Sequence, residues 1–564
     1  MRRLQLIYRW IERSICRSRP ILLSAAMLCS SACQRHSEYF GKVEPPEGKV
    51  FRFNNSAEPE YIDPNLLAGI PDTRIAAMLF EGLTVYDPQT LIPSPGAAES
   101  WEVSSDLTLY TFHLRKNLFW SDGQPLTARD FVYSWTRILD PKTASRYANM
   151  LYYIVNGQDF NEGRLKDAGQ LGVKALDDST LQVKLRQPVP YFLSLTSHDT
   201  YDPVPAHIIS RFGNQWTDPS HIASNGPFML VEHRTNAKFE LVRNPRYWDA
   251  ANVWLERVTA YSVDDNHTSA NLYEAGVVDW VPDYVPTDYI PYMRGRFKDL
   301  IVQPYLGNYY YSFNVTRPPL NNPLVRRALA MALDRRAITD DLLRGGQIPT
   351  SHFVPFGFAN YHSPPGPEYN PQEAARLLAQ AGYPNGEGFP HLDILFNTLA
   401  EHKKIAETVQ QMWSKNLNIQ VSLRNEEWAS FLKSRQSRNY DVARDAWIGD
   451  YPDPSTFSDL MESTNGNNDP GWKNPAYDRL LAEARQQADE ARRMEILQKA
   501  EAILLQDLPV APIYTYAVNA LLKPYVRGIY GNVLDRHALN RVWIDRQWRE
   551  HAAQGEGKGE GQRD

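Results

Sequence analysis

The stretch LTLYTFHLRK (residues 107–116) alternates apolar and polar side chains at the period of a half-buried strand, and a helix-like run with its own start signal follows it at once. In that run, TARDFVYSWTRIL (127–139), Thr127 stands ahead of the first turn with Asp130 three residues on, the spacing of a capped helix start. The same alternation recurs along the chain. VFRFNN (50–55) reads as a short strand; Asn322 followed by Pro323 opens one helix, and Asn370 followed by Pro371 opens another that stops near Gly382. A single helix is expected over 474–507, leading into LPVAPIYTYAVNALL (508–522), which is apolar enough for a buried strand. These patterns predict a mixed α/β fold without internal repeats. At 564 residues the chain is too long for one compact core, and its length corresponds to roughly three or four domain-sized units. The final segment HAAQGEGKGEGQRD (551–564) has no large apolar residue and is expected to be disordered.

The N-terminus has a different grammar. Arg2, Arg3, Arg9, Arg13, Arg17 and Arg19 precede the apolar run PILLSAAMLC (20–29), which ends in the small residues Ser30, Ser31 and Ala32 before Cys33. A cationic region, a short apolar region and a small-residue exit describe an export signal over residues 1–32, because the run is too short to span a bilayer. Cleavage is expected before Cys33, which resembles the acylated cysteine of bacterial lipoproteins although Ser30 stands where that motif prefers Leu; an ordinary signal peptide is the competing reading. Cys16, Cys29 and Cys33 are the only cysteines, so the exported body is expected to carry neither a disulfide nor a thiolate metal site.

Charge and motifs narrow the function classes. With 60 Lys and Arg against 66 Asp and Glu, and no long basic run, nucleic acid is not an expected partner. There is no G-x-S-x-G elbow, His402 lies outside any H-E-x-x-H spacing, and GEGKGEG in the tail lacks the strand and helix of a phosphate loop. No catalytic residue, metal site or cofactor is therefore expected. Aromatics make up 12% of the chain, with 14 Trp and 31 Tyr, which suits surfaces that grip amphipathic ligands. A binding protein is the leading class. The stretch DVARDAWIGDYPDPSTF (441–457) crowds Asp445, Asp450 and Asp453 against Trp447 and Tyr451; by itself it fits a strand entering a polar turn.

Longer words carry a family resemblance. SDGQPLTARDFVYSWTRILDPKTAS (121–145), SNGPF (224–228), RNPRYW (243–248), PPLNNPLVRRALAMALDR (318–335), YDVARDAW with DYPDPSTF (440–457) and KNPAYD (473–478) resemble, in this order, the peptide-binding components of ABC importers. The likeness is strongest to the oligopeptide-binding proteins, a peptide type of extracellular solute-binding protein family 5, and runs from about residue 50 to about residue 543. It implies a two-lobed periplasmic-binding-protein fold of type II with an extra domain and a hinge between the lobes. Carried over, the boundaries are 34–80, 206–306 and 518–550 for the first lobe, 81–205 for the extra domain, and 307–517 for the second lobe.

The resemblance also implies a site. Asp450 matches the aspartate that receives a peptide's α-ammonium, which selects free amino termini because an unpaired charge in a closed cleft is costly. Arg444 matches the arginine that meets the carboxylate end at one peptide length, and His402 the residue that does so at another. Trp447, Trp428, Arg435, Tyr147 and Tyr516 are further pocket candidates, with Asn271 as a main-chain partner, although each aromatic is about as apt for core packing. Three positions depart from the relatives: Leu343, with Arg344 beside it, replaces a lysine; Ala68 replaces an acidic residue; and Asp445 stands where a small residue is usual and is placed to offset the charge of Arg444.

The expectation is therefore an envelope lipoprotein, monomeric, that captures peptides of about two to five residues, closes by hinge bending and delivers them to a membrane permease and its ATPase. A narrower binder of murein tripeptide or dipeptides is the rival within the class. A peptidase or an envelope chaperone is the rival outside it.

Overall fold

The computed structural model describes residues 37–553 except 68, 284, 287, 359 and 427. The export signal, Cys33, Ala68 and the tail from residue 554 lie outside the described residues.

One long mixed sheet runs through the molecule. Its strands follow the order Val421–Glu426, Leu392–Asn397, Val442–Ile448, Leu300–Phe313, Val510–Leu522, Trp280–Val281, Val50–Asn54, Arg257–Tyr261, Lys238–Arg243 and Phe228–Arg234. The parallel pairs, Val50–Asn54 with both Arg257–Tyr261 and Trp280–Val281 and Leu392–Asn397 with both Val421–Glu426 and Val442–Ile448, need crossover connections, which is why helices alternate with strands in the sequence. Two strands, Leu300–Phe313 and Val510–Leu522, are long enough to belong to both halves, and their antiparallel register shifts between Pro304 and Asn308.

Two large cores flank that break. One gathers Phe51, Phe53, Trp135, Leu241 and Val258; the other gathers Tyr309, Leu329, Ile394, Trp413 and Ile513. A separate antiparallel sheet of four strands, Ala98–Val103, Leu109–Leu114, Thr180–Lys184 and Val173–Ala175, joins the first core through Phe112 and Leu181. The architecture is a two-lobed α/β fold with an additional small sheet on the first lobe. The lobes touch where Tyr191 of the first core stacks on Tyr451, with ring centres 4.8 Å apart.

Local signals act as their chemistry requires. Thr127 and Asp130 form a reciprocal capping box at the helix Ala128–Leu139, the Thr127 amide donating to Asp130 at 2.8 Å. The Asn322 side chain accepts from the Leu324 amide and that of Asn370 from the Glu373 amide; the second helix, Pro371–Gln380, ends just before Gly382 at φ +100°. The expected single helix over 474–507 is two helices, Pro475–Gln486 and Glu490–Asp507. Gln487 is extended, and Asp489 caps the second helix by accepting from the Arg492 amide, so the acidic pair at 489–490 is a start signal inside a continuous helical pattern. The helix Trp548–Ala553 also enters the segment expected to be disordered from 551, anchored by buried Trp548 edge-on to Tyr39. Among the described residues no helix is long and apolar enough to cross a membrane.

Candidate functional site

A cavity of about 320 Å³ opens between the lobes. Phe53, Ile70, Arg74, Tyr147 and Trp280 wall it on the side of the first lobe, Trp447, Gly449 and Asp450 on that of the second, and the segment after the last long strand adds Asp535, Arg536 and His537. Asp450 reaches it because the strand Val442–Ile448 ends there: the Gly449 amide donates to the Leu306 carbonyl at 2.7 Å and the Asp450 amide to Thr456 Oγ1 at 3.1 Å. The turn itself is held by Asp453, whose carboxylate accepts from the Ser455 amide at 2.9 Å and pairs with Arg493 at 2.7 Å. The Asp450 carboxylate, by contrast, accepts from no donor among the described residues. Burial pushes its pKa up to about 6, and the nearby Arg536 guanidinium opposes that rise. Arg536 is itself paired with Asp199. Tyr147, stacked on His198 at 5.9 Å, is pushed up to about 12 by burial and secondarily by the charge of Asp450.

Deeper in the second lobe, Arg444 and His402 meet among tyrosines. Arg444 lies opposite Tyr311 in the sheet, 5.0 Å over the ring of Tyr309, and its Nη2 donates to Tyr516 Oη at 3.1 Å. His402, on the helix Ala400–Leu417 and only 6% exposed, sits with its ring 5.6 Å from that of Tyr309. Burial first, then the Arg444 charge, lowers its pKa to about 3, so the ring is neutral. Nε of Arg444, Nδ1 of His402 and Nε1 of Trp447 are buried donors or acceptors without a partner. Buried polar groups are ordinarily satisfied, so these orphans mark space for a polar guest or for water; of the three residues only Trp447 lines the cavity, and Arg444 and His402 lie beyond its wall.

Not every expected residue converges there. Arg435 is tied to Asp445 at 2.8 Å and to Asp469 at 2.5 Å. Asp445 offsets Arg444 only at a distance and makes no contact with it: neighbouring strand residues point to opposite faces, and its carboxylate turns to Arg435 and Ser312. Asn271 is exposed on the helix Asn266–Glu274 and is absent from the cavity wall. Trp428 opens the helix Trp428–Gln436, but its side chain is outside the described residues. Leu343 is core, and Arg344, rather than replacing the missing lysine, is exposed and folds its Nε back onto the Asp341 carbonyl at 3.0 Å. No motif or spacing singles out Arg74, Arg536 or Asp199. Arg74 lines the cavity, held by Asp283 at 2.8 Å and Asp535 at 3.2 Å, with Nε and Nη1 unpartnered.

Two lobes sharing continuous strands, with a charged and aromatic cavity between them, define a solute-binding protein of the kind that closes by bending at its shared strands. The chain matches the bacterial extracellular solute-binding proteins, family 5, over residues 93–469, and it belongs to that family. It is 40% identical over 501 residues to the periplasmic oligopeptide-binding protein OppA of Salmonella typhimurium, covering 87% of this chain and 92% of the relative. Among solved structures, the Haemophilus influenzae OppA complex with RPPGFSPFR aligns with a TM-score of 0.75 and 35% identity over 89% of this chain and all of the other. The Escherichia coli murein tripeptide binding protein MppA aligns with a TM-score of 0.76 and 36% identity over 88% of this chain and 99% of the other.

Proposed function

We propose that the chain is an extracytoplasmic receptor that captures short peptides and hands them to an ABC transporter permease and its ATPase. The observation that carries this reading is the Asp450 carboxylate, which faces a cavity walled by both lobes without a protein donor of its own. A peptide α-ammonium supplies the missing opposite charge. Arg444, with Tyr516 and His402, is positioned to take the carboxylate end, while Trp447 and Tyr147 flank the guest. Free main-chain groups of an extended peptide give affinity without sequence, and roomy pockets tolerate varied side chains. Arg435 is assigned a supporting role behind the strand, and Asn271 none. The lobes are taken as 34–80, 206–306 and 518–550, and 307–517, with 81–205 as the extra domain. Flexing at the register shift of the two shared strands would close them. Residues 1–32 are read as an export signal and Cys33 as the lipid attachment point, which places the receptor in the periplasm or on the envelope as a monomer. Support for the peptide class comes from the oligopeptide-binding relatives at 37–40% identity.

The test is calorimetric titration of a free and an N-acetylated tripeptide into the purified protein. The free peptide is expected to bind at least about tenfold more tightly, since a desolvated charge would otherwise lack its partner. Equal affinities would remove the role of Asp450. The likeness to the murein tripeptide binding protein supports a narrower second reading, in which murein tripeptide binds and unrelated tripeptides do not.

A further inference from the structure

A second cavity, of about 570 Å³, lies behind the first; Arg536, His537 and Leu539 wall both, but Asp450 lines only the first. We propose that this second cavity is a binding site for a primary ammonium carried on an apolar body, with Asp202 as its counter-ion.

Four carboxylates line it, and three are already engaged. Asp87 accepts from the amides of Gln89 and Thr90. Glu81 accepts from Tyr247 Oη and from Trp248 Nε1 at 2.6 Å, and Asp199 is paired with Arg536. Asp202 is 3% exposed, and no donor among the described residues reaches its side chain. Burial, then the charges of Asp199 and Glu81, hold its carboxyl well above the usual range against the opposing charge of Arg536, and a cationic guest would favour its ionised form. The backbone makes room for it: a Cβ on Gly82 would stand 2.7 Å from Asp202 Oδ1, and glycine there leaves the carboxylate clear. Tyr86, Tyr530, Leu539 and Trp543 add apolar and aromatic wall for the body of the guest, while Arg536, paired with Asp199, and the exposed Arg541 also line the cavity. The volume falls in the range of small-molecule sites. A metal ion fits less well, because among the described residues no three candidate ligands converge on one point. The ammonium can belong to a free amine or to a lysine side chain of a peptide held in the first cavity.

The test titrates the full chain calorimetrically with phenethylamine and with its neutral counterpart, 2-phenylethanol. Phenethylamine is expected to bind and the alcohol not. Asp202→Asn is expected to weaken the amine about tenfold or more, a larger loss than Asp450→Asn causes. Should Asp202→Asn fail to fold, as read from its melting transition, Asp202→Ser serves in its place. If Ala-Lys-Ala displaces the amine and trialanine does not, the lysine side chain is the source; if neither does, a free amine is. No binding of phenethylamine at millimolar concentration, equal binding of the alcohol, indifference to Asp202 substitution, or equal loss in Asp450→Asn would each overturn the assignment. Only the Ala-Lys-Ala arm depends on the first cavity holding a peptide; the amine, alcohol and Asp202 arms stand without it.

Discussion

Asp450 and Arg536 face one cavity from different parts of the chain, and only the arginine has an ion-pair partner, Asp199. The pair is therefore unequal. Arg536 is neutralised within the protein and acts on Asp450 at a distance, which leaves the aspartate ionisable yet unfilled. A residue built for turn formation or stability would show the opposite pattern, as Asp453 does with Arg493 and the Ser455 amide.

Stability and binding should consequently move in opposite directions in Asp450→Asn. The folded-state pKa of about 6 exceeds the ordinary 3.8, so the folded protein holds this proton more tightly than the unfolded chain does. Stability from this group is fully present below pH 3.8 and is lost as pH rises through about 6. Above that pH the asparagine variant avoids a cost of about 2–3 kcal/mol and melts higher than the parent, the gap closing toward pH 4. Its affinity for free-amino peptides should fall and its discrimination against N-acetyl peptides vanish. Thermal melts across pH, beside calorimetry, check both; a variant that melts lower would mean that Asp450 supports the fold.

Arg444→Gln tests the other end. Its guanidinium has a hydroxyl, a ring face and an unpartnered Nε, but no carboxylate in contact. For the peptide length whose terminus reaches it, the variant should lose about 1.5–3 kcal/mol of binding and become indifferent to C-terminal amidation. Calorimetry on matched free and amidated peptides of graded length measures this, and an unchanged preference at every length would remove the assignment.

His402 should be spectroscopically silent in the ligand-free protein. Its pKa of about 3 keeps the ring neutral down to mild acid, so its imidazole resonances should not titrate between pH 5 and pH 8. Because the folded-state value lies below the ordinary 6.5, the unfolded chain takes the proton first, and stability is lost as pH falls from 6.5 toward 3. A peptide that sets its carboxylate against the ring should raise the value. Proton NMR with and without peptides of graded length follows this, and a free-state titration near 6.5 would contradict the burial argument.

What the residues alone could convey divides along physical lines. Capped starts at Thr127, Asn322 and Asn370 were legible because a cap is a local hydrogen bond between residues two or three apart. The two-lobed fold was legible through ordered family words. The break at 487–489 was hidden, since Asp489 sits in a strong helical pattern and only packing decides where such a pattern is interrupted. The contact of Asp445 with Arg435 was hidden, because adjacency to Arg444 in a strand means opposite faces and nothing local announces the residue behind. Arg536 and Asp199, 337 residues apart, were invisible as a pair: nothing in either local stretch announces the other.

Arg435→Met separates a supporting residue from a binding one. Arg435 is the shared counter-ion of Asp445 and Asp469, all three largely buried, and removing it strands two carboxylates with Tyr310 and Tyr440 packed around them. Breaking a buried pair by deleting one partner costs about 3–5 kcal/mol, more than most single substitutions. Part of that cost should return when Asp445→Asn is added, because the second change neutralises one stranded charge. If Arg435 instead touched the peptide, the single variant would keep its melting point and lose affinity. The expected outcome is a markedly lower melting temperature with peptide affinity close to the parent's, measured below the transition, and a double variant that recovers stability. Since Asp445 and Arg444 occupy consecutive positions on one strand, the ion pair behind the sheet also fixes the register in which Arg444 faces Tyr516, so any residual affinity loss should fall on peptides that reach Arg444.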